Sequence, residues 1–145
     1  MQRLILPFIA GFLATVFFQQ SAVGLLHVAD LSTLSAYSTA PLPPTGLPSF
    51  IVDALYGGVW SVLMTWLLRV SPQRPMPWIG ACVFGGVAVT AVSIFLIGPL
   101  QGSWPSGNIL PRVTFGLTIN AVWGWGVLVF LRAFTPSLES EASNA

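Results

Sequence analysis

Four long apolar runs, separated by short polar stretches, set the pattern of this chain. Each run has the length needed to cross a bilayer as a helix, about 20 residues. They predict helices over 4–28, 49–70, 78–100 and 112–133, joined by polar segments at 29–47, 71–77 and 101–110. Gln19, Gln20 and Ser21 interrupt the first run, and Ala22 to Val28 resumes it. A cleaved signal peptide is the competing reading of that run. The apolar stretch continues past the small residues at 22–24, and two glutamines sit where such a leader should be purest, so a span is expected. The tail over 135–145 is polar, lacks aromatics and is expected to be disordered. The predicted fold is all-α: a polytopic membrane protein of four transmembrane helices arranged as two antiparallel hairpins.

Composition strengthens this picture. Only 6% of the 145 residues are charged and the mean hydropathy is +0.82, whereas soluble domains carry about 25% charged residues. So few charges cannot cover a water-exposed surface, which leaves the bilayer as the main solvent. The length allows one transmembrane domain, 1–134, followed by the tail. All five basic residues are arginine, so no lysine-rich tract exists to hold phosphate backbones, and no nucleic-acid partner is expected. Cys82 is the only cysteine, which excludes an intrachain disulfide and a multi-cysteine metal site.

Helical spacing sorts the polar and small residues into faces. In the second span Ala54, Gly58, Ser61 and Thr65 form a small-residue stripe, with Asp53, Gly57, Trp60 and Met64 beside it. Cys82, Gly86, Thr90 and Ser93 make a similar stripe in the third span, and Gly116, Asn120 and Gly124 a ridge in the fourth. Such stripes let helices approach closely in a membrane. Pro48 is expected in the first helical turn, where a missing N–H costs nothing. Between spans one and two, Pro41, Pro43 and Pro44 favour an extended segment, and Leu31, Leu34 and Tyr37 a short turn with Tyr37 at the headgroups.

A shift of 63 residues carries Leu47–Pro48 onto Leu110–Pro111, Val59–Trp60 onto Val122–Trp123 and Leu68–Arg69 onto Leu131–Arg132. A shift of 70 relates Pro7–Ala10 to Pro77–Gly80. Either a tandem parallel repeat or the shared demands of a span on Pro, Trp and Arg accounts for the match. Four spans put Arg3, Arg69, Arg74 and Arg132 on one side and Arg112 alone on the other. The positive-inside rule then makes both termini cytoplasmic.

Candidate chemistry is sparse. No Gly-rich nucleotide loop or nucleophile elbow is present, so no catalytic residue is assigned. His27 is the single histidine; it excludes a bis-histidine haem on this chain alone and could supply at most one axial ligand. No metal site and no cofactor are expected. Asp53 is the one acidic residue inside an apolar run, where an unpartnered carboxylate is costly. Arg112 is the only strong positive charge near it, so an Asp53–Arg112 pair is expected, with His27 close by. Gln19, Gln20 and Asn120 complete a candidate polar cluster, read either as interhelical hydrogen bonding or as the lining of a path.

The segments GFLATVFFQQ and LLH of span one, PLPPTGLP of the loop and YGGVW of span two resemble those of small, uncharacterised four-span bacterial inner-membrane proteins. The resemblance covers the first half of the chain. It implies the four-span topology and a bacterial inner membrane, and brings no activity with it. The first function expected is a non-catalytic accessory or assembly subunit of a larger inner-membrane complex, with lipid, other membrane subunits or a second copy as partners. The alternative is a small oligomeric transporter or channel lined by Gln19, Gln20, Asp53 and Asn120.

Overall fold

A computed structural model describes residues 2–68, 76–100, 102 and 104–143, with side chains over 4–68, 78–100, 102 and 104–134. Among these are four helices long and apolar enough to cross a membrane: α1 (Leu4–Val28), α2 (Ser49–Leu68), α3 (Trp78–Leu100) and α4 (Leu110–Phe134). The helix containing α4 is assigned through Ser143; the side chains of the tail lie outside the described residues. The expected proline turn lies mostly outside them too, as do the side chains of Arg3, Arg69 and Arg74.

Neither α1 nor α3 is a uniform helix. A π-turn occupies Thr15–Gln19 in α1, and two more occupy Phe84–Val89 and Ser93–Ile97 in α3. Each π-turn fits an extra residue into the helix and rotates everything beyond it. In α1 it shifts the face presented by the residues from Gln20 onward.

The loop before α2 differs from the extended segment expected. Pro41–Leu42 (β1) and Leu47–Pro48 (β2) pair antiparallel, Pro41 opposite Pro48. Gly46 closes the turn between them with φ +69, a conformation that suits glycine. Pro48 therefore ends a strand, and the helix begins at Ser49. The hairpin wins because the residues before it supply what α2 lacks: Ser49 N–H donates to Ala40 O at 3.0 Å and Phe50 N–H to Ser38 O at 3.2 Å. Two helix-end donors are thus satisfied without a side-chain cap. Tyr37 anchors the same loop to α1. Its hydroxyl donates to Val16 O at 2.9 Å and its N–H to Gln20 Oε1 at 2.8 Å. Val16 lies in the π-turn, where the helical ladder is disrupted and a carbonyl is accessible to an outside donor.

Packing is uneven around the bundle. α1 lies against both α2 and α4, and α3 lies against α4. Glycines set the closest approaches. A Cβ on Gly11 would collide with the Gly57 carbonyl and with Ser61, and one on Gly124 with the Ala81 carbonyl. The small-residue stripes read from the sequence are therefore used inside the chain. Trp123 fills the centre, 2% exposed, and donates from Nε1 to Gly11 O at 3.2 Å. By contrast α2 and α3 touch little, chiefly where α3 begins. There Leu68 Cδ1 lies 3.6 Å from a Cβ position on Gly80. From that end the two helices diverge, and Trp60 meets Phe84 edge-on at 6.1 Å where the gap begins.

Candidate functional site

The divergence of α2 from α3 leaves a cavity of about 460 Å³. Helical spacing explains which side chains reach it. From α2 come Ser49, Asp53, Tyr56, Gly57 and Trp60, a single face at steps of three and four. From α4 come Arg112, Phe115, Gly116, Ile119, Asn120 and Trp123, again one face. α3 supplies Val89, Thr90, Ser93, Ile94, Ile97 and Gly98, and α1 contributes Gln19. Asp53 and Arg112 stand near the helix ends at Ser49 and Leu110, so the charges lie toward one end of the cavity. The tryptophans and the amides lie deeper.

A hydrogen-bonded chain crosses the deep end. Gln19 Nε2 donates to Asn120 Oδ1 at 2.8 Å, and Asn120 Nδ2 donates to Thr90 Oγ1 at 2.9 Å. It ties α1, α4 and α3 together, with Asn120 and Thr90 buried at 5% and 3% exposure. Both ends of the Asn120 amide are engaged: the oxygen accepts from an amide and the nitrogen donates to a hydroxyl. Above the chain the wall formed by Ile94, Ile97, Phe115 and Ile119 is apolar. The whole is an apolar chamber with an amide floor and opposite charges near its other end.

Of the six residues expected to cluster, four line this cavity: Gln19, Asp53, Asn120 and Arg112. Gln20 does not, because its side chain accepts from Tyr37 in the loop. His27 does not either; it is exposed near the end of α1, where Nδ1 pairs with Ser32 O at 3.0 Å. Among the described residues no direct ion pair within 4.0 Å joins Asp53 and Arg112. The reason is the arrangement of the helices. α2 and α4 stand on a diagonal of the bundle and approach at Gly57 and Trp123, about one turn from Asp53 but about three from Arg112.

Sequence reasoning left out Tyr56, Trp60, Thr90, Phe115 and Trp123 as site residues. The signal was present in the spacing: Tyr56 follows Asp53 by three and Phe115 follows Arg112 by three, which places each beside the charge on its helix. Comparisons with family models, with curated proteins and with solved structures found no match, so the site is read from its geometry.

Proposed function

We propose that this chain is a small membrane protein that binds a ligand within its own helix bundle, as a carrier or ligand-gated partner of the bilayer. The observation behind this reading is the convergence of Gln19, Asp53, Asn120 and Arg112, from three helices, on one cavity of about 460 Å³. That volume is within the range of small-molecule sites, and apolar walls with a few fixed polar groups are their usual makeup. Intramembrane polar residues facing a cavity are expected at ligand or ion paths. The accessory-subunit role depends on surfaces free to dock a partner. The stripes that suggested it are covered within the chain, and outward aromatics such as Trp66 and Phe95 suit lipid equally well.

The reading includes the finer topology. Two parallel hairpins, α1–α2 and α3–α4, are tandem copies in this proposal. Several correspondences support it. The 70-residue shift places Thr15–Gln19, the π-turn of α1, inside the π-turn Phe84–Val89 of α3. Applied with the 63-residue shift, it converts the Gly11–Ser61 approach into the Ala81–Gly124 approach, and Thr15–Gly57 into Gly85–Asn120. With both termini cytoplasmic in a bacterial inner membrane, the charged end of the cavity faces the outer leaflet.

Thermal unfolding of the nanodisc-embedded protein tests the ligand reading, using a panel of short amphiphiles and small polar solutes of each charge type. At a concentration 100 times its dissociation constant, a ligand adds about 2.7 kcal/mol to stability. At least one class should raise the Tm of the wild type and leave Ile119→Trp, whose indole fills the cavity, unchanged. A panel that shifts neither protein contradicts the reading.

A further inference from the structure

Asp53 and Arg112 present opposite charges to the same cavity without forming an ion pair among the described residues. Each is thus available to a ligand, and the two stand on different helices with the cavity between them. Their surroundings differ in chemistry. Asp53 is followed on its own face by Tyr56 and Trp60, which also line the cavity. A carboxylate beside aromatic rings suits an organic ammonium, since the ring faces attract cations without supplying directional lone pairs. It suits a metal ion poorly: among the described residues no three His, Cys, Asp or Glu side chains come together, and hard cations take several oxygen ligands.

The other end favours an anion. Arg112 offers a planar fork of donors that matches phosphate or carboxylate oxygens. It lies in the first turn of α4, whose backbone end carries partial positive charge. Between and beside the charges the walls are Ile94 and Ile97 of α3. These line the side on which α2 and α3 separate, which gives an apolar chain a route toward the lipid.

We propose that the cavity binds a zwitterionic headgroup, its ammonium at Asp53 with Tyr56 and Trp60, its anionic group at Arg112. An attached chain lies along Ile94 and Ile97. The proposal rests on the ligand-binding reading above and names the class of ligand. The zwitterion has two sources, a membrane lipid or a free polar solute. With the charged end at the outer leaflet, either has access.

The experiment is isothermal titration of the full chain in phosphatidylglycerol nanodiscs, whose lipid carries no ammonium to compete. The probes are hexylphosphocholine, hexyltrimethylammonium, hexyl phosphate, hexyl glucoside and glycine betaine. A zwitterion should bind at least tenfold tighter than the two single-charge probes and the glucoside. Asp53→Asn should reduce that zwitterion to the affinity of hexyl phosphate, and Arg112→Gln to that of hexyltrimethylammonium. Hexylphosphocholine binding tighter than glycine betaine assigns the site to lipid; the reverse order assigns it to a free solute. If the glucoside or a single-charge probe matches both zwitterions, the zwitterion assignment is overturned while a ligand cavity remains. If none of the five binds, both readings are overturned. The wild-type ranking decides the matter even where a variant fails to fold.

Discussion

Two sides of this bundle, each with a tryptophan, have opposite character. Where α1 meets α4, Trp123 is enclosed and its indole N–H reaches across to Gly11 O. Where α2 faces α3, Trp60 is half-buried, meets Phe84 edge-on and borders open space. One tryptophan is enclosed where its seam closes, and the other is half-buried at an open one. What differs is the company. Trp123 packs among small residues that let backbones approach, with Gly57 close to its Nε1. Beyond Trp60, the α2–α3 gap is flanked by Tyr56, Ile94 and Ile97, whose bulk keeps the helices apart. Close packing in a membrane comes from small residues, and the bulky side chains interspersed with Gly57 and Ser93 at this seam leave a chamber.

The comparison can be broken most forcefully at its tryptophans. Trp123→Ala should cost about 3–5 kcal/mol, the range for removing an enclosed aromatic. Trp60→Ala should cost well under half as much, because that side chain is only half-buried. Chemical denaturation in mixed micelles measures both, and equal losses would remove the asymmetry. Next in size is bulk added on each side. Gly11→Leu forces α1 off the Gly57 carbonyl and should cost about 3 kcal/mol or more, whereas Ser93→Leu, facing the cavity, should cost under about 1 kcal/mol. A smaller effect belongs to the amide floor. Asn120→Leu removes bonds to Gln19 and Thr90 and should cost about 1–2 kcal/mol, near the upper end for interhelical hydrogen bonds in membranes. Smallest of all is the coupling between Asp53→Asn and Arg112→Gln. Without ligand their stability effects should add to within about 0.5 kcal/mol, since the side chains do not pair.

The contrast also separates what the sequence discloses from what it conceals. Four helices are legible because a bilayer demands about 20 apolar residues in succession. Gln19, Asp53, Asn120 and Arg112 are legible as a group because polar side chains within apolar runs need somewhere polar to go. Gln20 and Gln19 look equivalent in sequence, yet one reaches Asn120 and the other Tyr37, because successive helical side chains point about 100° apart and the partners lie on different sides. No residue pattern marks a π-turn. The β1–β2 hairpin was concealed as well: prolines describe the backbone of 41–48 one residue at a time, while the pairing depends on where α2 needs acceptors. Whether Asp53 and Arg112 bond directly was not legible, because spacing gives depth along a helix and not position around the bundle. Two residues on diagonal helices can border the same cavity without meeting.

The open seam itself can be measured by thiol reactivity in native membranes. In a Cys82→Ala background, cysteine is placed at Ser93, which borders the cavity, or at Ala14, which is fully enclosed at 0% exposure. A small, charged, membrane-impermeant thiol reagent is then added from each side. Ser93→Cys should react from one side at least tenfold faster than Ala14→Cys, because a charged reagent reaches only thiols bordering a solvated chamber. Equal rates at the two positions, or no reaction at Ser93→Cys from either side, would contradict a cavity between α2 and α3.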